Sequence, residues 1–282
     1  LVVTVPLVME KIFKSAVQPA LNKPAMKVLT AIPGVNRIIF KAIRKKLLTA
    51  FGGNVRMIIM GGAALNPEVE TWFRKFRPPF TVGYGMTEAA PLLAYEKASE
   101  FVPRSCGKAI DREEVRIDSE DPQHVAGEIQ ARGVNIMSGY YRNEEATKAA
   151  FTEDGWMNTG DLGVMDADGN IFIRGRSKNM ILSSNGQNIY PEEIEAVVNN
   201  CPYVVESVVV DRGAKLVALV YLDRDRMRAD GIPDDGLQDM MDGMMKTVNR
   251  SMPAYSKLAK VEVMPEPFEK TPKMSIKRFL YS

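Results

Sequence analysis

The sequence predicts an α/β protein. We expect the end of a large α/β sheet domain with a small β-barrel-like subdomain, followed by a compact α+β domain. The early part of the chain alternates strand-sized apolar runs with helical patterns, which is typical of a mainly parallel sheet. Short β-runs separated by turns follow, as in a small antiparallel barrel or sheet. The last part combines amphipathic helices with a two-strand hairpin.

The composition is that of an ordinary globular protein. Its 282 residues are 45% hydrophobic and 26% charged, with a formal net charge of +2, which is too near neutral for a dedicated nucleic-acid binder. No apolar run reaches membrane-spanning length. The two cysteines, Cys106 and Cys201, cannot form a metal cluster alone and indicate a reducing compartment. Because the chain starts without Met or a signal-like pattern, we expect it to begin inside a larger protein.

The first fifty residues have helical patterns. The stretch "FKAIRKKLLTAF" puts Ile43, Leu47, Leu48 and Phe51 on one face and basic residues on the other. Such a helix could lie on a membrane surface, but its narrow apolar stripe favours a packed helix with a solvated basic face.

Two strand–turn units follow. "VRMIIMGGAALNPEVETWFRKF" predicts a buried strand, a glycine turn and a helix capped by Asn66 with Pro67 in its first turn. "FTVGYGMTEAAPLL" predicts a short strand and a Gly-Tyr-Gly corner. Parallel sheets bind ligands at the carboxyl ends of their strands, so both corners are candidate binding positions.

From about Gly107 the pattern changes to β-runs, with strands predicted in "EEVRI", "GEIQARG", "WMNTGDLGVM" and "NIFIRG". "DADGN" predicts a hairpin turn and not a calcium loop, because no glutamate follows at the required distance. The only histidine, His124, lies in a polar loop without a nucleophile motif. We therefore expect a surface histidine and a chemistry that needs no histidine base.

The part after Arg176 predicts a compact α+β domain. "YPEEIEAVVNNC" predicts a helix, "VVESVVVDRGAKLVALVYLD" a hairpin, and "DDGLQDMMDGMMKTVNRSM" a helix with an apolar methionine stripe. Because that stripe follows the helical repeat, we interpret it as core packing.

Chemistry-bearing residues concentrate in four stretches. "MGGAAL" and "GYGMTE" are glycine corners where a ligand can approach the backbone closely. "NTGDLG" places a carboxylate at Asp161 that can accept hydrogen bonds from two neighbouring hydroxyls, as a ribose presents. "GRSKNMILSSNGQNIYPEEIE" supplies the guanidinium of Arg176, then a glycine loop and a helix.

These stretches resemble the ordered core motifs of the adenylate-forming superfamily: "GYGMTE", "GEIQARGVNIMSGYYRN", "GWMNTGDLG" and "GRSKNMILSSNGQNIYPEEIE". "VPLVMEKIF" and "TPKMSIKRF" resemble the long-chain fatty acyl-CoA synthetases. The family's upstream half, with its Ser/Thr/Gly-rich pyrophosphate loop, is not in this sequence. The resemblance therefore implies a carboxy-terminal portion with an incomplete adenylate-forming fold.

The resemblance implies ATP, Mg²⁺ and coenzyme A as cofactors and a fatty acid as substrate. A carboxylate attacks the α-phosphate of ATP, and coenzyme A then displaces AMP from the acyl-adenylate. The implied nucleotide contacts are adenine stacking on Tyr84, α-phosphate contact by Thr87, Mg²⁺ binding by Glu88, ribose binding by Asp161 and Arg176, and a floor formed by Gly61, Gly62 and Ala63, with Gly85 at the Gly-Tyr-Gly corner.

The resemblance also implies a hinge at Lys178, on which the carboxy-terminal domain rotates between the two half-reactions, and a loop in which Gly186 leaves room for pantetheine. The implied domains are 1–106, the β-rich subdomain 107–176, and the mobile domain 177–282. Structural alternatives remain: Tyr84 as a core aromatic, Asp161 as a turn residue, the glycines as tight turns only, and Lys178 as a surface lysine.

One position departs from the family pattern. Ser275 stands where the family carries a lysine that bridges the substrate carboxylate and the ribose. Lys273 and Lys277 lie on either side and, in an extended segment, would share a face with Ser275. We hypothesise that one of them substitutes, with Lys273 favoured because it lies in the Thr-Pro turn.

The expected function is that of a long-chain fatty acid–CoA ligase whose isolated fragment is inactive. The alternatives are an enzyme that loads an acyl group on a carrier protein and a catalytically silent nucleotide-binding homologue. We expect a cytoplasmic location with peripheral membrane contact and no nucleic-acid partner. Chain-length preference and oligomeric state are not readable from these residues.

Overall fold

The computed structural model describes residues 1–183, 185–233, 236–271 and 275–281. Contacts divide the chain into two compact units, Leu1–Ile173 and Arg174–Ser282, which are described separately. A large hydrophobic core fills the first unit. The second unit has two smaller clusters of buried residues.

The first unit begins with a strand and a series of helices. The strand is β1 (Val2–Thr4); the helices are α1 (Pro6–Ile12), which continues through a π-helical turn (Phe13–Val17) into α2 (Gln18–Leu21), then α3 (Pro24–Ala31) and α4 (Val35–Ala50). The expectation of helices alone missed β1. Its signal is weak because its partner, Ile58 opposite Val2, lies far along the chain. Among the described residues, no helix is long and apolar enough to cross a membrane.

The apolar stripe of α4 packs inward as predicted. Leu47 is buried, and Ile43, Leu48 and Phe51 pack against the core of the unit. The basic residues of that stretch are exposed. The packed-helix interpretation of this stripe is confirmed.

A parallel sheet forms from β1, β2 (Ile58–Met60) and β3 (Phe80–Val82), in that order. Helix α5 (Pro67–Phe76) joins the second strand to the third. The Asn66 side chain accepts hydrogen bonds from the N–H groups of Glu68 and Val69 and Pro67 lies in the first turn, so the predicted cap is confirmed. Parallel strands end at one edge, which places the residues after β2 and β3 side by side.

The β-rich part of the first unit forms two sheets. The smaller contains β4 (Tyr84–Gly85), β5 (Leu92–Tyr95) and β6 (Lys108–Ala109). The larger contains β7 (Glu113–Asp118), β8 (Gly127–Gly133), β9 (Met157–Met165) and β10 (Ile171–Arg176), with helix α6 (Glu144–Ala150) between β8 and β9. The last three residues of β10 already belong to the second unit. Of the two predicted forms, barrel or sheet, the described residues adopt open sheets. Asp166 Oδ1 accepts from the N–H groups of Asp168 and Asn170, which confirms the turn in "DADGN".

The second unit contains β11 (Ile181–Leu182), β12 (Asn188–Ile189), α7 (Pro191–Val198), β13 (Val204–Asp211), β14 (Leu216–Leu222), α8 (Arg224–Ala229), α9 (Leu237–Ser251) and β15 (Leu258–Val263). β13 and β14 form the predicted hairpin, and β15 pairs parallel to β14. Met241, Met244 and Val248 of α9 are buried in the core, which confirms the methionine stripe as packing.

Candidate functional site

The ends of β2 and β3 meet at one edge of the parallel sheet. Gly61 follows β2, and its N–H donates to the carbonyl of Thr4 at 3.2 Å. Gly83 follows β3, and its N–H donates to the carbonyl of Met60 at 2.8 Å. A Cβ on Gly61 would lie 3.2 Å from the carbonyl oxygen of Gly83. The two glycine corners are therefore adjacent, as the strand order predicts.

The aromatic ring that follows this edge is held against the predicted ribose carboxylate. Tyr84 and Asp161 are both buried, at 6% and 5% exposure, and the Tyr84 hydroxyl donates to Asp161 Oδ2 at 2.8 Å. Burial, reinforced by the Asp161 charge, raises the pKa of Tyr84 well above its ordinary value. The phenol therefore keeps its proton and stays a donor at neutral pH. The tertiary structure brings two predicted site residues together across 77 positions of sequence.

Thr159 orients Asp161 from within the same strand. Its hydroxyl donates to the Ile129 carbonyl at 2.8 Å and accepts from the Asp161 N–H at 3.2 Å. Thr159 is itself 3% exposed, so these bonds are sheltered from water. Thr159 therefore fixes the backbone on which the carboxylate is carried.

The predicted phosphate and metal residues lie on a short helical turn. Thr87 and Glu88 begin a 3₁₀ turn, Thr87–Ala89, immediately after the Gly-Tyr-Gly corner. Thr87 is exposed and Glu88 is half-buried. Glu88 Oε1 accepts from the Tyr140 hydroxyl at 3.0 Å. Both side chains are therefore open to a ligand at least in part.

Asn135, in the turn that follows β8, braces the 3₁₀ turn. Its side-chain amide donates to the carbonyls of Ala89 and Leu92, both at 2.8 Å. Among the described residues, its buried Oδ1 has no hydrogen-bond partner. The amide thus holds the turn by its backbone.

A single carboxylate is a plausible Mg²⁺ ligand only if a substrate supplies the rest. Within the described parts of the chain, no group of three His, Cys, Asp or Glu side chains could hold a metal ion. Mg²⁺ is often bound by one or two carboxylates together with substrate phosphates. Glu88 therefore fits a Mg²⁺ ion that arrives with a nucleotide and does not fit a permanently held one.

Glycine at two of the predicted positions is required by the backbone. A Cβ on Gly85 would lie 1.9 Å from the Pro91 carbonyl oxygen, so no larger residue fits. Gly62 has a φ of +83°, in the left-handed region that favours glycine. Turn geometry alone accounts for both glycines, and a binding role for them stays a prediction, as it does for Ala63.

A shallow, open cleft of about 530 Å³ lies beside helix α6. It is lined by residues 138–142, with Glu144, Thr147 and Lys148. Tyr140, which lines it, is the residue that donates to Glu88. The cleft is thus linked directly to the predicted Mg²⁺ ligand.

Three further predicted residues, Arg176, Lys178 and Gly186, belong to the second unit. Arg176 ends β10 and Lys178 lies in the 3₁₀ turn Ser177–Asn179, and both are exposed. Gly186 has a φ of +79° and open space where a Cβ would stand. The joint ribose grip of Asp161 and Arg176 and the hinge at Lys178 stay predictions.

Of the two lysines near Ser275, Lys277 belongs to the described part of the chain. Lys273 lies outside the described residues. Lys277 Nζ lies 3.2 Å from Glu269 Oε2. Ser275 is exposed, and its carbonyl accepts from the Thr271 N–H at 2.8 Å. The substitution hypothesis is not tested by these contacts.

Thr159 and Asn135 were not singled out from the sequence. Thr159 lies inside the motif stretch "NTGDLG" and Asn135 inside "GEIQARGVNIMSGYYRN", so the sequence did mark the region around each of them. Their partners, Ile129 and the 3₁₀ turn, lie 30 to 46 positions away. No local pattern reveals contacts at that separation. His124, in contrast, is exposed and lies 2.9 Å from Asp121, as a surface histidine should.

Comparison with known proteins accounts for this arrangement. The family model "AMP-binding enzyme" matches residues 2–141, and "AMP-binding enzyme C-terminal domain" matches residues 178–281. The chain is 30% identical to Long-chain-fatty-acid–CoA ligase FadD15 of Mycobacterium bovis, over 98% of this chain and 52% of that protein. It is 32% identical to Long-chain-fatty-acid–CoA ligase 1 of Saccharomyces cerevisiae, over 71% of this chain and 28% of that protein.

Solved structures give the same result. ATP-bound MatB from Rhodopseudomonas palustris matches with a TM-score of 0.71 and 25% identity, over 99% of this chain and 49% of that chain. The o-succinylbenzoate CoA synthetase MenE from Bacillus subtilis, in complex with its acyl-adenylate intermediate, matches with a TM-score of 0.68 and 25% identity, over 84% of this chain and 50% of that chain. The chain spans about half the length of these relatives.

The predicted α/β fold class is therefore confirmed, and so is the resemblance drawn from the core motifs. The chain belongs to the adenylate-forming superfamily of AMP-binding enzymes, among whose members it resembles the long-chain fatty acyl-CoA synthetases.

Proposed function

We propose that this chain is the carboxy-terminal part of an enzyme that activates a long-chain fatty acid with ATP and transfers it to coenzyme A. The acyl carboxylate attacks the α-phosphate of ATP, pyrophosphate leaves, and the coenzyme A thiol then displaces AMP. A fatty-acid carboxylate is already ionised at neutral pH, so the site has to align charges and neutralise them. The exposure of the only histidine, His124, agrees with such a chemistry.

The observation that carries this proposal is the buried Tyr84–Asp161 pair at the edge of the parallel sheet. A carboxylate has about four lone-pair sites, so the buried Asp161 can accept from ribose hydroxyls in addition to the Tyr84 hydroxyl. Adjacent ribose hydroxyls present two such donors. A carboxylate placed only to end a turn has no need of an aromatic hydroxyl or of burial.

We assign the remaining roles on the same basis. The Tyr84 ring supports adenine beside Gly61, Gly62 and Ala63, and Gly85 keeps the corner open. Thr87 contacts the α-phosphate, and Glu88 binds Mg²⁺ together with the phosphates.

Arg176 also binds the ribose hydroxyls, as the resemblance implies. Lys178 serves as the hinge of a mobile domain 177–282, and Gly186 leaves room for the pantetheine of coenzyme A. We place the enzyme in the cytoplasm, in peripheral contact with a membrane.

Replacement of Asp161 by Asn in the full-length protein tests the ribose assignment. We expect Kd for AMP to rise about 10- to 100-fold, because a charge-assisted hydrogen bond becomes a neutral one. Isothermal titration with AMP and with a non-hydrolysable acyl-adenylate mimic measures it. Asp168→Asn, on the exposed hairpin turn, is the matched control and should bind like the wild type.

The outcomes separate the alternatives. A wild-type protein that releases no heat with the mimic is a silent homologue. A protein that binds and adenylates but transfers the acyl group only to a carrier protein contradicts the coenzyme A assignment. An Asp161→Asn variant that binds AMP normally removes the ribose role.

The lysine hypothesis has its own test. Lys273→Ala and Lys277→Ala are made separately in the full-length protein and assayed by ATP–pyrophosphate exchange. We expect one of them to lose exchange by about a hundredfold, the effect of one well-placed electrostatic contact. Exchange retained in both variants rejects the hypothesis, whereas transfer of an already formed acyl-adenylate to coenzyme A should survive in either.

A further inference from the structure

The corner between α3 and α4 exposes several apolar side chains. We define the α3–α4 corner as residues 27–41, which cover the last turn of α3, the connection and the first turns of α4. Val28 is 63% exposed, Ile38 72%, Ile32 43% and Leu29 39%. Helix α3 contains no buried residue at all. Four exposed apolar side chains within eleven consecutive residues are the kind of feature that can mark an interaction site.

These exposed residues are not part of the apolar stripe of α4 that the sequence pattern predicted. The stripe of Ile43 and Leu47 packs into the core. Ile38 lies on the opposite side of α4, where it is joined by Lys41 and Lys45 at helical spacings of three and seven residues. The outward face of α4 is thus apolar at its start and basic further along.

The charge around the corner has one sign. Between Glu10 and Glu68 the sequence contains ten basic residues and no acidic one; the basic residues are Lys11, Lys14, Lys23, Lys27, Arg37, Lys41, Arg44, Lys45, Lys46 and Arg56. The net charge of the whole chain is only +2, so the rest of it is net acidic. Lys27, Arg37 and Lys41, on the corner itself, are all exposed. Neighbouring acidic side chains therefore do not neutralise this surface from within the segment.

We propose that the α3–α4 corner docks on an anionic phospholipid bilayer. The apolar side chains Val28, Ile32 and Ile38 enter the interface, and the surrounding lysines and arginines contact lipid phosphates. Apolar residues flanked by basic ones are the pattern of interfacial membrane-binding segments. Polyanions such as nucleic acid would match the charge but would give the exposed aliphatic side chains no apolar environment.

The proposal does not depend on the assigned enzyme activity. The two proposals are related, because a fatty acid dissolved in a bilayer would reach a docked enzyme directly. Vesicle binding and nucleotide binding are nevertheless measured separately, so either can fail alone.

Cosedimentation with vesicles tests the proposal, both for this chain and for the full-length protein. The vesicles are phosphatidylcholine alone or with about one-third phosphatidylglycerol. We expect binding only to the anionic vesicles, and we expect it to weaken as salt screens the surface charge. The charge variant is Arg37→Gln, Lys41→Gln, Lys45→Gln; it should lower the partition coefficient at least about tenfold.

A matched control removes the same charge elsewhere. Lys246→Gln, Arg250→Gln, Lys257→Gln neutralises three exposed basic residues of the second unit. This control should bind vesicles like the wild type. An apolar variant, Ile32→Ser with Ile38→Gln, should also bind several-fold more weakly while keeping the wild-type circular dichroism spectrum.

Each of several results would overturn the proposal. They are an absence of binding to anionic vesicles at low salt, equal losses of binding in the charge variant and its control, full binding by the apolar variant, and tighter binding to duplex DNA than to vesicles at equal phosphate concentration.

Two other outcomes would assign the corner a different role. If the apolar variant turns a dimer into a monomer in sedimentation velocity and the dimer does not bind vesicles, the corner is a self-association surface instead. If the variants affect vesicle binding of this chain but not of the full-length protein, another part of that protein covers the corner.

Discussion

The Cys106 thiol lies in the same buried region as Asp161. Burial raises its pKa from 9.0 to about 12, and the Asp161 charge adds to the shift. Because the pKa of Cys106 is higher in the folded protein, the unfolded chain loses the thiol proton at lower pH than the folded protein does. The contribution of the buried, protonated thiol to stability is therefore complete below pH 9 and is lost as the pH rises toward 12. We expect unfolding of the first unit to become easier from pH 9 upward, measured by tryptophan fluorescence, since both Trp72 and Trp156 belong to that unit.

Cys106→Ala provides the comparison. The variant is less stable at neutral pH because of the small cavity, but it should lose less stability between pH 9 and pH 10 than the wild type. At pH 8, a thiol reagent should modify the half-buried Cys201 well before Cys106. Equal labelling rates in the folded protein would contradict the burial on which this reasoning depends.

An ion pair between a partly exposed arginine and a buried glutamate anchors the carboxy-terminal segment of the second unit. Arg278, in the 3₁₀ turn Arg278–Leu280, donates to Glu195 of α7, which also accepts from the Val209 N–H at 2.6 Å. Burial raises the pKa of Glu195, and Arg278 opposes that shift. Arg278→Ala would leave a buried carboxylate uncompensated, so we expect a loss of about 3–5 kcal/mol in the second unit. Hydrogen exchange of residues 191–211 and 275–281 measures it.

The pH dependence of this variant has a definite sign. Without Arg278, the Glu195 pKa rises further above its ordinary 4.5, so the deficit should shrink as the pH is lowered from 7 toward 5. Replacing both residues by Gln should cost less than Arg278→Ala, because no charge remains buried. Arg212→Ala, which removes a more exposed pair with Glu262, should change stability by less than about 1 kcal/mol. A similar loss of stability in Arg278→Ala and Arg212→Ala would mean that the Arg278–Glu195 pair contributes no more than an ordinary surface ion pair.

The 282 residues together span about half the length of the relatives they match. In the superfamily that this sequence resembles, the pyrophosphate loop and much of the acyl tunnel belong to the upstream half. We therefore expect the purified chain to make no acyl-CoA from fatty acid, ATP and coenzyme A, as followed by mass spectrometry. The full-length protein, assayed in parallel, should make it. Acyl-CoA formed by the 282-residue chain alone would overturn this expectation.

Much of the local structure was predictable from neighbouring residues. Helical and alternating apolar patterns predicted α4, α7, α9 and the β13–β14 hairpin, and side-chain capping predicted the start of α5 at Asn66. Glycine corners in "MGGAAL" and "GYGMTE" marked the edge of the sheet. These features depend on interactions within a few positions of the chain, which is why a single sequence can reveal them.

By itself, therefore, the sequence determined the fold class, the superfamily motifs and the residues that are candidates for nucleotide binding. Only the tertiary structure decided which of them meet. The Tyr84–Asp161 bond joins residues 77 positions apart and the Glu195–Arg278 pair joins residues 83 apart, while β1 forms only because Val2 finds Ile58. Such pairings depend on packing between residues far apart in the chain, and the local sequence pattern does not reveal which distant residues will meet.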